Sequence, residues 1–155
     1  MSVTGLPGNG PVRSGHAVAD SSSGIYLSFG ILMAVIRRER TGEGSWVRTS
    51  LLEALISMMD FQAARVLMEG EVPRQQGNYH PTGVPMGTFP ASDGVFNLAP
   101  GTNAHFRALC EVLGRSDWAD DERYSRPGSR LKRRDEVNAM IAGVSSTNPA
   151  EHWIG

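Results

Sequence analysis

Ala19-Asp20-Ser21-Ser22-Ser23-Gly24-Ile25-Tyr26-Leu27-Ser28-Phe29-Gly30-Ile31-Leu32-Met33-Ala34-Val35-Ile36-Arg37-Arg38-Glu39-Arg40 is the stretch that decides how this chain is read. Residues 20–23 offer several helix N-caps. Residues 25–40 are apolar nearly all round, and the basic run Arg37, Arg38 and Arg40 suits the negative end of a helix dipole. The pattern predicts a helix over 25–40, stopped by Thr41-Gly42-Glu43-Gly44 with glycine where a C-cap wants it. A helix apolar on every side is expected to be buried. In front of it, Gly5, Pro7, Gly8, Gly10, Pro11 and Gly15 forbid a regular element and read as loop.

Behind it, Trp46-Val47-Arg48-Thr49 alternates and is β-prone, which predicts a short strand. Ser50-Leu51-Leu52-Glu53 fits a capping box opening a helix over 51–69, with Gly70 just past its end. Leu51, Leu52, Leu55, Ile56, Met58, Met59, Val66 and Leu67 cover most of its circumference, so this helix too is expected to be buried. Two such helices are hard to cover from within 155 residues, a first sign of missing partners. Residues 71–87 form a long loop with Pro73, Gly77, Pro81, Gly83 and Pro85. Thr88–Ala91 and Val95–Ala99 flank Ser92-Asp93-Gly94 and predict a β-hairpin. Asn103 is expected to cap a helix to Leu113, with Gly114 behind it; residues 117–127 read as polar connection. Residues 129–144 read as a basic amphipathic helix with Leu131, Val137, Met140 and Ile141 inward. Asn148-Pro149-Ala150-Glu151 then opens a last helix that looks cut off at Gly155.

Length and composition narrow the function classes. The chain holds about one domain's worth of residues. Fifteen basic against sixteen acidic side chains give a net charge of −1, which argues against nucleic acid and anionic membranes as partners. Hydrophobic residues at 40% and charged residues at 20% describe a folded soluble chain rather than a disordered one. One cysteine, Cys110, makes neither an internal disulfide nor a cysteine-rich zinc site, so a cytoplasmic location is expected. The apolar run around Ile25–Ile36 is broken by Ser28 and Gly30 and reads as too short to span a bilayer. No basic segment of a secretory signal precedes it.

Few residues carry chemistry on their own. Asp20 sits between a glycine-rich loop and the positive end of a helix, where a carboxylate can serve as a nucleophile or simply as an N-cap. Taken alone, the cap is the plainer reading. His16, four residues earlier, is imaginable as its base, although a carboxylate needs none. His80, in Gly77-Asn78-Tyr79-His80-Pro81, either touches a ligand or satisfies the loop backbone, the second being the plainer reading. His16, His80, His105 and His152 lack ligand spacing, so no metal site is expected. Arg130, Lys132, Arg133 and Arg134 suggest a phosphate site but are better explained as one solvated helix face. Cys110 reads as an inert core thiol. Gly5, Gly8 and Gly10 match no phosphate-loop pattern.

An ordered set of short motifs goes further. Met1-Ser2-Val3-Thr4-Gly5, Pro11-Val12-Arg13-x-Gly15, Ala19-Asp20-x-x-x-Gly24, Gly30-Ile31, Arg38-x-x-Thr41-Gly42-x-Gly44 and Ser50-Leu51-Leu52-Glu53-Ala54 together resemble the class III CoA-transferases, the CaiB/BaiF family. The likeness continues through Arg74-x-x-Gly77-Asn78-x-His80-Pro81, Gly87-Thr88-Phe89, Ser92-Asp93-Gly94 and Leu109-Cys110-Glu111-x-Leu113-Gly114, and so covers essentially the whole chain. The resemblance implies an α/β fold. It makes residues 1–70 the end of a Rossmann-like large domain, 71–87 a linker and active-site loop, and 88–155 the start of an α+β small domain. It also implies that Asp20 is the catalytic nucleophile, working through an aspartyl anhydride and an aspartyl-CoA thioester. Gly77, Asn78, His80 and Gly83 then fall where relatives keep a glycine-rich substrate lid, although no run of glycines is present here. Coenzyme A and acyl-CoA enter as substrates, with carboxylic acids as partners and no permanently bound cofactor. Related racemases share the aspartate; the histidine segment they use is absent, and residues 99–106 contain no carboxylate, which favours transfer. Family chains are more than twice as long and form interlocked homodimers, so a central fragment, inactive by itself, is expected.

Overall fold

The computed structural model describes residues 3–154, which form two compact units divided between Gln75 and Gln76. The first is built on helix α1 (Val18–Thr41), which packs along α2 (Leu51–Met58) and is followed by α3 (Phe61–Ala64) and a π-helical turn, Arg65–Glu69. Its stops follow local chemistry. Gly42 takes φ 76° and donates its N–H to Arg38 O at 2.8 Å, and Gly70 takes φ 68° behind Glu69. Ser50 accepts from Glu53 N at 3.1 Å while its hydroxyl donates to the Glu53 carboxylate at 2.9 Å, so the expected cap forms.

Five expectations for this unit are corrected. Helix α1 begins at Val18 rather than Ile25: of the serines of 20–23, Ser22 and Ser23 turn inward, are buried and donate back to the carbonyls of Ala19 and Asp20. At 24 residues it is long and apolar enough, by length and composition, to cross a membrane. Neither long helix is buried: Phe29, Leu32, Met33, Leu52 and Leu67 are exposed, since these 75 residues supply little to cover them. Residues 46–49 form no strand, for want of a neighbour to pair with, although Val47 lies so close to Gly30 that a Cβ there would sit 2.7 Å from it. The helix expected over 51–69 breaks after Met58, where Asp60 adopts φ 48°.

The second unit wraps helices around a hairpin. Strands β1 (Gly87–Ala91) and β2 (Gly94–Leu98) pair antiparallel with Phe89 opposite Phe96, and Ser92-Asp93 forms the two-residue turn. Alternation sends Gly87, Phe89 and Ala91 inward. They meet α4 (Asn103–Val112), α5 (Asp117–Asp120), α6 (Pro127–Lys132) and α7 (Arg134–Ser145) in a core of Phe89, Phe96, Phe106, Cys110, Trp118, Tyr124, Val137 and Ile141. Helix α8 (Ala150–Ile154) returns to the turn, where Asp93 Oδ1 accepts from Ala150 N at 2.8 Å.

Here too the local reading needs amending. Thr102, not Asn103, caps α4, accepting from His105 N at 3.1 Å. Residues 117–127 are more than connection: Trp118, Ala119 and Tyr124 are core. The helix expected over 129–144 divides at Arg133 into α6 and α7, and Leu131 faces outward. Asn148 does not cap α8; its side chain bonds Thr147, and Asp93 takes the cap.

Candidate active site

Asp20 occupies the exposed first turn of α1, three residues past Ala17, which caps the helix with no side-chain hydrogen bond. It is therefore not the N-cap. Its backbone is held by the inward serines, and among the described residues its carboxylate forms no ion pair. Beside this turn lies a cleft of about 620 Å³ lined by Thr4, Arg13, His16, Ala19, Met59 and Phe61 among others. The loop before α1 is tied down by Gln75, whose Nε2 donates to Thr4 O and Gly10 O, both at 2.6 Å. Among the described residues no hydrogen bond joins His16 to Asp20; its Nδ1 lies 3.3 Å from Ser14 Oγ.

The second unit brings Gly77, Asn78, His80 and Gly83 into one folded loop. Gly77 turns the chain at φ 61°, with Tyr79 N donating to Gln76 O at 3.1 Å. The loop then doubles back on β1: Thr88 N donates to Asn78 O at 3.2 Å and His80 N to Met86 O at 2.9 Å. A Cβ on Gly87 (φ 143°) would lie 2.3 Å from Asn78 O, so glycine is obligatory for this closure. The His80 ring faces its own turn, its Nδ1 accepting from Thr82 N at 3.2 Å and Gly83 N at 3.0 Å. Asn78 is exposed and His80 half-buried.

Among the described residues no group of three or more His, Cys, Asp or Glu is placed to hold a metal ion. The family model for CoA-transferase family III matches residues 1–155. The chain belongs to CoA-transferase family III. Succinyl-CoA:mesaconate CoA-transferase of Haloarcula hispanica is 36% identical over 151 residues, covering 97% of this chain and 38% of that protein. Succinate–glutarate CoA-transferase of Agrobacterium fabrum is 38% identical over 142 residues, covering 92% of this chain and 36% of that protein. A crystal structure of a CaiB/BaiF family protein from Brucella suis superposes with a TM-score of 0.69 at 33% identity, over 94% of this chain and 38% of its own. This family III chain thus spans little more than a third of the length of these relatives.

The basic cluster of the second unit is a solvated face only at Lys132 and Arg133. Arg130 is 1% exposed, with Nε donating to Val84 O (2.9 Å), Nη1 to Tyr124 O (2.7 Å) and Nη2 to Asn103 Oδ1 (3.2 Å), and its guanidinium lies 4.3 Å from the Phe106 ring centre. Burial lowers its pKa below the ordinary arginine value. Arg134, half-buried, donates from Nη1 to His80 O at 2.7 Å and from Nη2 to Pro81 O at 2.6 Å. Sequence reasoning missed this contact, since nothing in a run of four basic residues distinguishes one that grips a loop more than fifty positions away. Cys110 is the buried thiol expected; burial pushes its pKa up to about 11.

Proposed function

We propose that this chain supplies the nucleophile of a CoA-transferase that moves CoA between carboxylic acids. The Asp20 carboxylate attacks the carbonyl carbon of an acyl-CoA thioester, the C–S bond breaks, and CoA thiolate leaves behind a mixed anhydride. The thiolate next attacks the aspartyl carbonyl, releasing the donor carboxylate and forming an aspartyl-CoA thioester. The acceptor carboxylate attacks that thioester and expels thiolate. Thiolate then takes the acceptor's acyl carbon and frees Asp20, with no net proton or electron consumed. The carrying observation is the exposed, uncapped first turn that presents Asp20, in a chain whose family and named relatives are CoA-transferases. Those relatives favour short dicarboxylic acids and their CoA esters as substrates. Gly77, Asn78, His80 and Gly83 contact the substrate in this reading, and a cytoplasmic homodimer of longer subunits covers the apolar faces of α1 and α2.

The test places residues 3–154 in the frame of the Agrobacterium enzyme, replacing the matching span, with succinyl-CoA and glutarate as substrates. Hydroxylamine or borohydride added during turnover is expected to modify Asp20. Asp20→Asn is expected to lower turnover at least about a thousandfold. Full turnover with Asp20 unmodified, or with Asp20→Asn, would overturn the assignment. Uptake of α-deuterium from deuterated water without an acceptor acid would instead make the activity racemisation.

A further inference from the structure

The loop ahead of α1 is pinned within its own unit. Thr4 O accepts twice, from Val12 N at 3.1 Å and from Gln75 Nε2 at 2.6 Å, and the same Nε2 donates to Gly10 O at 2.6 Å. Gly5, at φ 118°, lets Val12 close on it: a Cβ there would stand 2.6 Å from Val12 Cγ2. Arg13 follows directly on this fixed turn and is exposed; among the described residues its guanidinium forms no ion pair. It lines the cleft of about 620 Å³ in the same unit, a volume within the roughly 300–1,000 Å³ of small-ligand pockets. Leu55, Met58 and Met59 give that cleft apolar walls, and Ala19 on its lining is the neighbour of Asp20 in the chain. Arg13 is the one arginine or lysine on the lining. The other two ionisable groups there serve an anion less well. His16 turns Nδ1 to Ser14 Oγ, and Asp60, held at φ 48°, has the charge of a carboxylate and no ion pair with Arg13. An apolar trough with a single unpaired guanidinium suits a short carbon chain ending in a carboxylate: the walls take the methylenes and the planar fork takes both oxygens.

We propose that Arg13 is a specificity-determining residue that binds the remote carboxylate of a dicarboxylic acid whose other end reacts at Asp20. This rests on the CoA-transferase reading above. The remote carboxylate takes no part in the bond changes, so its contact is the same in the bound acid and in the transition state. Loss of that contact is therefore expected in KM for the acid rather than in kcat.

The test compares two acids in the Agrobacterium frame: glutarate, and valerate, which carries a methyl where glutarate carries its second carboxylate. Valerate is read as an acceptor or as a competitor of glutarate. The unsubstituted protein is expected to bind glutarate at least about tenfold better than valerate, the worth of one charge-assisted hydrogen bond. Arg13→Met is expected to raise KM for glutarate roughly ten- to a hundredfold, with kcat and the valerate constant changed less than about twofold. Arg13→Lys keeps the charge without the fork and is expected to fall between. Arg13→Glu is expected to prefer valerate. Equal binding of the two acids by the unsubstituted protein would overturn the proposal. So would an Arg13→Met protein whose glutarate KM is unchanged, or one that loses glutarate and valerate alike, which is the mark of a merely structural arginine. A required Asp20 with an Arg13 indifferent to the second carboxylate sinks only this assignment, while an indifferent Asp20 sinks the reading it rests on.

Discussion

Replacing Arg130 by methionine separates a buried keystone from a surface charge. Methionine keeps most of the alkyl volume against Phe106 but leaves Val84 O and Tyr124 O without the donor that reaches them at 2.9 and 2.7 Å. Each carbonyl stranded in the interior costs about 1–3 kcal/mol. Removing a buried cation that has no carboxylate partner among the described residues acts the other way, because its desolvation cost disappears with it. The guanidinium's three hydrogen bonds and its seat over Phe106 already offset much of that cost, so the stranded carbonyls decide the sign. The expected net loss is about 2–4 kcal/mol. Because the chain has two units, global unfolding is not the right readout. Urea titration followed on the indole resonance of Trp118, a core residue of the same unit, reports the local loss. A solvated residue would move the midpoint by no more than about 0.5 kcal/mol's worth. A shift that small in Arg130→Met would refute the burial argument, and a gain in stability would show that desolvation outweighs the carbonyls.

Two further outcomes follow from single observations. Gly87→Ala places a Cβ 2.3 Å from Asn78 O at a backbone φ of 143°, so it is expected to destabilise the second unit by more than about 1 kcal/mol, with exchange of the Thr88 amide accelerating first; unchanged exchange would refute the clash. The Cys110 thiol, raised from 9.0 to about 11, stays protonated in the native state while the unfolded thiol ionises. The unfolded state then binds fewer protons, so this group's contribution to stability falls as pH rises from about 9 to 11, and Cys110→Ala is expected to flatten that part of the curve.

Stops and turns were the legible part of the fold. Gly42, Gly70 and Gly114 all take positive φ just past helix ends, because a left-handed C′ residue is a local demand that glycine meets alone. The Ser50 cap and the hairpin around Ser92-Asp93 are equally local. Starts and breaks were not. A run of serines that competes well for a cap also bonds back into a helix, and which occurs depends on whether the serines face a neighbour; Ser22 and Ser23 do. The break at Asp60 and the division at Arg133 leave no glycine or proline to announce them.

The candidate site shows the same division at the level of chemistry. Asp20 was conspicuous because charge at a helix start is a one-dimensional signal, and the structure moves it only from cap to first turn. The His80 ring is tied to its own turn by Thr82 N and Gly83 N, within three residues of it. The carbonyls of His80 and Pro81 in the same turn are held by Arg134, on another element. A guanidinium that grips carbonyls and one that meets water are the same letter, and only burial tells them apart. Arg130 and Arg134 therefore had to be seen in three dimensions, while Lys132 and Arg133 between them remain as exposed as their composition suggested. A basic run on a helix is thus weak grounds for a solvated face wherever a proline- and glycine-rich loop elsewhere has carbonyls left to satisfy.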